Sequence, residues 1–435
     1  MRILRDYQIE CIHTIKQTFD FCEKQLIQLP TGSGKTAIFL SFLLDYTKNA
    51  IIICPNREIQ DQVFENAKEM RFKPSKKLKK ENGFYVITAQ SLNYYQKNIP
   101  PVDVVVIDEA HRAYASTYQN FIDKLKPGTK VLGCTATPER LDRKCLLDIF
   151  DRLSYEKNVV EMVEGGYLCD MKAYRIRTHI KTKCRHNDFI LADLKMLDTE
   201  SRNKLIIETY MQNCTKKKTI VFCLSQEHSE KIALALSGLG IRAAYVHGNM
   251  PKKLRDDTID DFKNGNLDVI TNCQLLTEGF DCPDINCVLI ARPTKSKSLY
   301  CQMLGRGMRI FPCKTHCELY ELTDNAHKIC TFNVVADLPL DIDHDYKQGS
   351  NIRDIKTAVE KLLLSIDQND VEIRKENFNV FLINQSLQKA PITQFQNKLL
   401  NKYKIDHPTF IDYWEAAYLI WKHKALEKYD ISSNS

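Results

Sequence analysis

A chain of 435 residues, 43% hydrophobic and 27% charged, has room for two to four domains and the composition of an ordinary globular protein, which excludes a disordered or fibrous chain. Its formal charge of +7, from 62 basic and 55 acidic residues, permits a polyanionic partner but does not demand one. No apolar run approaches the roughly 18–20 residues of a membrane span, and MRILRDYQIE lacks the apolar segment of a secretory signal; the expected setting is cytoplasmic or nucleoid-associated, with the 16 cysteines as reduced thiols.

Along the chain, two stretches alternate short β-branched runs with helical patterns, the mark of parallel α/β domains. The first, 1–165, offers strands at 25–29, 50–54, 84–88, 102–107 and 130–134. Residues 166–199, with GYLCDMKAYRI and then a polar run, read as a linker containing some strand. The second stretch, 200–337, offers strands at 219–223, 243–247, 267–271, 287–291 and 317–322. Beyond it, 338–435 reads as mainly helical: Ile352, Ile355, Val359, Leu362 and Leu363, then Ile392, Phe395, Leu399 and Tyr403, recur at helical spacing. Lysine clusters at Lys73, Lys76, Lys77, Lys79 and Lys80, and at Lys216–Lys218, read as solvated loops. Cys313, His316, Cys317 and Cys330 do not form the two ligand pairs of a zinc site, and Cys317 opens the alternating strand run CELYEL.

Two motifs carry the chemistry. LPTGSGKT, residues 29–36, follows a strand and precedes the apolar helical run AIFLSFLL, the context of a phosphate-binding loop. Gly32 and Gly34, with Thr31 and Ser33 between and before them, let backbone N–H groups turn toward phosphate oxygens at a helix N-terminus. Lys35 is suited to the β/γ phosphates and Thr36 to Mg²⁺. Leu29 stands where the strict pattern has glycine. VVVIDEAH, residues 104–111, is a buried strand ending in two acids. Asp108 is suited to anchor Mg²⁺ through water, and Glu109 to orient and deprotonate an attacking water.

Together these motifs resemble the DEAH-box superfamily 2 helicases, and further elements of that family's set follow in order over residues 1 to about 335. LRDYQ resembles the adenine-reading motif, which implies Gln8 and Arg5 at the base. CPNREI and TAQSL resemble the motifs that track nucleic acid, which implies Arg57, Thr88 and Gln90 at the backbone. Thr135 and Thr137 resemble the element that couples hydrolysis to movement, beside His111. TNCQLLTEGFD implies Thr271 and Thr277 at the strand and Gly279 and Asp281 at the nucleotide. QMLGRGMR implies Gln302, Arg306 and Arg309 at the nucleotide, the arginines as fingers. Within the superfamily the motif wording is most similar to bacterial RadD-type helicases and to restriction-enzyme motor subunits.

The resemblance implies two tandem RecA-like domains with ATP and Mg²⁺ in the cleft between their sheets, and a helicase or translocase acting on DNA in repair or a related pathway. RNA as the substrate, and a motor subunit of a restriction, repair or defence complex docked through the C-terminal region, are the alternatives. A binding module with a dead ATPase core is opposed by the intact Lys35, Asp108, Glu109 and Arg309. Tyr94, Tyr95 and Tyr114 are expected to be packing residues.

Overall fold

The computed structural model describes residues 3–70, 72–78, 83–137, 146–177, 189, 191–323, 351–352 and 401. The chain divides into two compact units, Met1–Asn158 and Val159–Ser435.

The first unit runs α1 (Asp6–Thr18), β1 (Lys24–Gln28), α2 (Lys35–Tyr46), β2 (Ala50–Cys54), α3 (Arg57–Glu69), β3 (Phe84–Thr88), α4 (Leu92–Tyr95), β4 (Val104–Asp108), α5 (Ser116–Ile122), β5 (Lys130–Thr135) and β6 (Arg152–Glu156). Its six strands form one parallel sheet in the order β3-β2-β4-β5-β1-β6. AIIIC and VVVID are buried at every position, as unbroken apolar strands covered on both faces must be. A Cβ at Gly133 would stand 2.5 Å from Phe150 and 2.8 Å from Leu26, so the bare backbone there lets the Phe150 ring lie on the sheet. The order puts β4, β5 and β1 side by side, so their three carboxyl ends share one edge. In parallel α/β sheets that edge is where ligands bind.

The second unit runs α6 (Val159–Glu164), β7 (Asp170–Arg177), α7 (Leu191–Lys195), α8 (Glu200–Asn213), β8 (Thr219–Phe222), α9 (Gln226–Gly238), β9 (Ala243–Val246), α10 (Lys252–Lys263), β10 (Val269–Asn272), β11 (Cys287–Ile290), α11 (Lys297–Gly307) and β12 (His316–Thr323). These strands make a second parallel sheet, β7-β12-β11-β8-β10-β9. Thr199, Ser225 and Ser296 cap α8, α9 and α11 by accepting from the backbone N–H three residues on, at 3.4, 3.1 and 3.2 Å. No helix among the described residues is long and apolar enough to cross a membrane.

All ten expected strands are present, with ends moved by no more than two residues. The strand expected within residues 166–199 is present: β7 pairs with β12 over eight residues, from Asp170 beside His316 to Arg177 beside Thr323. Lys172, Arg175 and Arg177 interrupt the apolar pattern of this strand, although Met171 and Ala173, on either side of Lys172, are fully buried. The division between units accordingly falls at 158/159, before the expected limit of 165, and the short β6 joins the first sheet. Apart from 351–352 and 401, the helical reading of 338–435 lies outside the described residues, as do Lys79, Lys80 and Cys330.

His228, on α9, gives the second unit a pH dependence. Its Nδ1 accepts from the Leu224 N–H at 3.2 Å, so the ring proton sits on Nε2, 2.9 Å from Asn203 Oδ1. Burial, with the Arg202 guanidinium, pushes His228 down to about 4 from an ordinary 6.5. The unfolded chain therefore binds the extra proton first, and stability present above pH 6.5 is lost as pH falls toward 4. Between pH 7 and pH 5 this residue should cost on the order of 2 kcal/mol. Urea titrations at the two pH values should show His228→Gln losing that much less than the unmodified chain.

Candidate functional site

In the first unit the loop after β1 is shaped by Gly32 at φ +88° and Gly34 at φ +81°, left-handed conformations that favour glycine. Gly34 also leaves room for Gln8: a Cβ there would stand 2.8 Å from its Nε2. Gln8 is held at both ends. Its Oε1 accepts from the Arg5 N–H at 3.0 Å, and its Nε2 donates to the Ser33 carbonyl at 3.2 Å. The Tyr7 hydroxyl donates to the same carbonyl. The LRDYQ segment is thus fastened to the loop after β1, with Arg5 exposed beside it.

Lys35 opens α2, and its ammonium donates to the Leu29 carbonyl at 3.2 Å. Leu29 N–H donates to the Thr135 carbonyl at 2.9 Å. Thr135 Oγ1 accepts from the Thr137 N–H at 3.1 Å, donates to the Thr137 carbonyl at 2.9 Å and lies 3.5 Å from His111 Nδ1. That nitrogen is 3.3 Å from Glu109 Oε2. A continuous path therefore runs from Lys35 through Leu29, Thr135 and His111 to Glu109. Thr135 and Thr137 are both buried.

Asp108 ends β4 and takes the Glu109 N–H on Oδ1 at 3.0 Å. Glu109 itself is left-handed, at φ 51° and ψ 52°. For a residue with a Cβ this costs about 1–2 kcal/mol, and it turns the side chain away from the course of the strand. Burial pushes the Glu109 carboxyl up. The Lys35 ammonium, then His111 and Arg112, outweigh that and hold it well below the ordinary carboxylate range. Glu109 is thus an anion throughout the neutral range.

Among the described residues, Thr31 Oγ1, Ser33 Oγ and Thr137 Oγ1 are buried here without a hydrogen-bond partner, and Glu109 Oε2 has only the His111 ring nitrogen, at 3.3 Å. Orphaned polar groups cost free energy unless a ligand completes them. With the Lys35 ammonium hydrogen-bonded to one backbone carbonyl, the donor set fits a polyphosphate. Thr36, partly exposed on the first turn of α2, and Asp108 supply the hard oxygen ligands that suit Mg²⁺.

The expected strand-contacting residues separate into two groups. Arg57, on the first turn of α3, and Gln90 are exposed; Thr88, at the end of β3, is buried. Tyr94, expected to pack, is 78% exposed and meets Tyr95 edge-to-face at 5.0 Å, whereas Tyr95 and Tyr114 do pack against the core.

In the second unit the reading of Thr271 as a strand contact is corrected. Thr271 is fully buried, and its hydroxyl donates to the Ser229 carbonyl at 2.7 Å and shares a 2.8 Å bond with Ser229 Oγ. The side chain is spent inside the unit, joining β10 to α9. Thr277 is also buried and donates to the Gln274 carbonyl at 2.6 Å.

Gln302 and Arg306 lie on α11 and are both buried. Gln302 Nε2 donates to Glu278 at 3.3 Å. Arg306 and Arg309 converge on one acceptor, the Phe280 carbonyl, at 2.5 and 2.8 Å. Arg309 also pairs with the exposed Asp281, and Gly279 takes φ +69° in the same loop. Lys314, unmarked by the sequence reading, donates to the carbonyls of Pro283, Gly307 and Arg309 at 3.0, 2.7 and 3.1 Å. It ties the end of α11 to this loop, and no local pattern advertised it.

Residues 2–140 match the family described as type III restriction enzyme, res subunit, and residues 201–311 match the helicase conserved C-terminal domain. The chain is 32% identical over 359 residues to a Saccharomyces cerevisiae protein described as the ATP-dependent helicase IRC3, covering 73% of this chain and 51% of that one. It therefore spans about half the length of that relative. Among solved structures, a fragment of an HsdR subunit of a type I restriction enzyme from Vibrio vulnificus superposes at TM-score 0.61 with 22% identity, covering 74% of this chain and 64% of that fragment. The ATP-dependent type ISP restriction-modification enzyme LlaBIII bound to DNA superposes at TM-score 0.56 with 16% identity, covering 96% of this chain and 37% of that one. Both likenesses establish the fold: two tandem RecA-like domains.

Gly34→Ala should both strain the loop and displace Gln8, weakening binding of a fluorescent ATP analogue about tenfold or more. Gly128→Ala, equally left-handed at φ +87° but with nothing within 4 Å of its Cβ, should leave that binding unchanged.

Proposed function

The chain belongs to the superfamily 2 helicases, and from that premise we propose that it is a DNA-stimulated ATPase that moves along or unwinds DNA. The observation that carries the reading is the unbroken path from Lys35 through Leu29, Thr135 and His111 to Glu109. A change at the phosphate loop is felt at once by the acid and by Thr135.

In this reading the phosphate loop holds the nucleotide, with Gln8 and Arg5 at the base. Thr36 and, through water, Asp108 would hold Mg²⁺, which would supply neutralisation of phosphate charge. Glu109, an anion at neutral pH, accepts a hydrogen bond from the attacking water and aligns it. Arg306 and Arg309 stabilise charge in the transition state, an effect worth about 10³–10⁵ in rate for such arginines. Gln302, Gly279 and Asp281 support them. The DNA strand lies along Arg57, Thr88 and Gln90, held mostly by its phosphates and so sensitive to salt. Thr271 acts from behind, by fixing β10 to α9, and Thr277 by shaping the loop before Gly279. The likeness to restriction-enzyme subunits favours DNA over RNA, and residues 338–435 are the segment we assign to any protein partner.

Tyr94, four residues beyond Gln90 and largely exposed, is assigned to stacking on a base.

The test is ATP hydrolysis without polymer and with single-stranded DNA, duplex DNA or single-stranded RNA. DNA should stimulate the rate, and Glu109→Gln should lower it by about 10²–10⁴. Stimulation by RNA alone would transfer the protein to the RNA helicases, and silence under every condition would point to a missing partner or a binding module. For the aromatic, Tyr94→Ala should weaken single-stranded DNA binding about fivefold or more at fixed salt, read by fluorescence anisotropy, and duplex binding much less.

A further inference from the structure

Helix α11 carries Gln302 and Arg306, and its packing poses a problem of rotation. Met303, Leu304 and Gly307 press it to the sheet; a Cβ at Gly307 would stand 2.5 Å from Cys317 Sγ and 2.8 Å from Val288. Apolar contact of this kind is non-directional and does not by itself fix how far a helix is turned about its axis.

One directional contact on the sheet side does. The buried Tyr300 hydroxyl donates to Glu321 Oε2 on β12 at 2.5 Å. The other oxygen of Glu321 faces Arg175 Nε, on the edge strand β7, at 3.6 Å, with the two side chains 7% and 3% exposed. A carboxylate so buried calls for a countercharge beside it, and the Arg175 guanidinium stands in that place. Six residues on, at about 240° around the helix, Arg306 donates to the Phe280 carbonyl. The helix is therefore pinned on two different faces, by Glu321 on one and Phe280 on the other.

We propose that Glu321 is a positioning residue for ATP hydrolysis: held by Arg175, it fixes the rotation of α11 through Tyr300 and so aims Arg306. The inference rests on the ATPase reading above. It also gives β7 a mechanical tie to the arginine-bearing helix.

The experiment measures DNA-stimulated ATP hydrolysis by the full chain against ATP concentration for Tyr300→Phe, Glu321→Gln, Arg306→Lys and Tyr300→Phe combined with Arg306→Lys. Tyr300→Phe removes a single oxygen, and Glu321→Gln keeps the shape. Each should lower kcat about tenfold while KM for ATP stays within about twofold; thermal unfolding by circular dichroism should move little in Tyr300→Phe and fall in Glu321→Gln, which removes the carboxylate charge facing the buried Arg175. In the Arg306→Lys background, Tyr300→Phe should add almost no further loss, because both act on one guanidinium. Normal kcat in Tyr300→Phe, or a loss that multiplies in full with Arg306→Lys, would overturn the inference alone. If Glu321→Gln does not fold, Tyr300→Phe carries the decision. No hydrolysis by the unmodified chain would overturn the ATPase reading and this inference together.

Discussion

The peptide groups around Leu29 are the hinge on which the first unit's chemistry depends. Its N–H reaches the Thr135 carbonyl and its carbonyl receives the Lys35 ammonium. The side chain is fully buried, so the position is anchored in the core as well as in the hydrogen-bond path. This gives a physical reason for leucine where a strict phosphate-loop pattern has glycine. A glycine would keep both backbone bonds and lose the anchor. The loop beyond Leu29 is then free to take its left-handed turns at Gly32 and Gly34 without dragging β1 out of register with β5.

The second unit is organised around buried charge. Arg202 is almost wholly enclosed and donates to the Ala291 carbonyl at 2.8 Å. Arg175 and Glu321 meet beneath α11, and burial pushes the Lys314 ammonium down while three carbonyls surround it. Enclosed charges of this kind add little to net stability, because removing them from water costs about as much as their pairing returns. What they supply is direction. Each one fixes a carbonyl, a hydroxyl or a loop that apolar packing alone would leave free to slide.

How much of this was legible in the sequence follows from the range of each signal. The central strands announced themselves because VVVID and AIIIC are apolar at every position, and the phosphate loop because its glycines and lysine are neighbours in the chain. β7 showed only as some strand within an expected linker, since charged residues interrupt it and its partner β12 lies more than a hundred residues away. Thr271 was expected at the nucleic acid because nothing near it in sequence reveals Ser229, 42 residues earlier, as the acceptor for its hydroxyl. Tyr94 was read as packing because an aromatic on a short apolar stretch usually packs, and only the fold reveals that its neighbour Tyr95 takes that place. The convergence of two arginines on Phe280 is likewise a property of a loop and a helix end brought together, which no spacing rule encodes.

That convergence has a consequence of its own. A carbonyl oxygen has two lone pairs, and Phe280 has given both to guanidinium groups. Arg306 is deeply enclosed, whereas Arg309 has 19% of its side chain exposed and its other partner, Asp281, is 64% exposed. Such an open ion pair is worth little in water. Arg309 is therefore the less deeply held of the two guanidinium groups: were it to leave, Arg306 would still satisfy the carbonyl behind it. What Arg309 would give up is one neutral oxygen shared with Arg306 and one carboxylate already open to water.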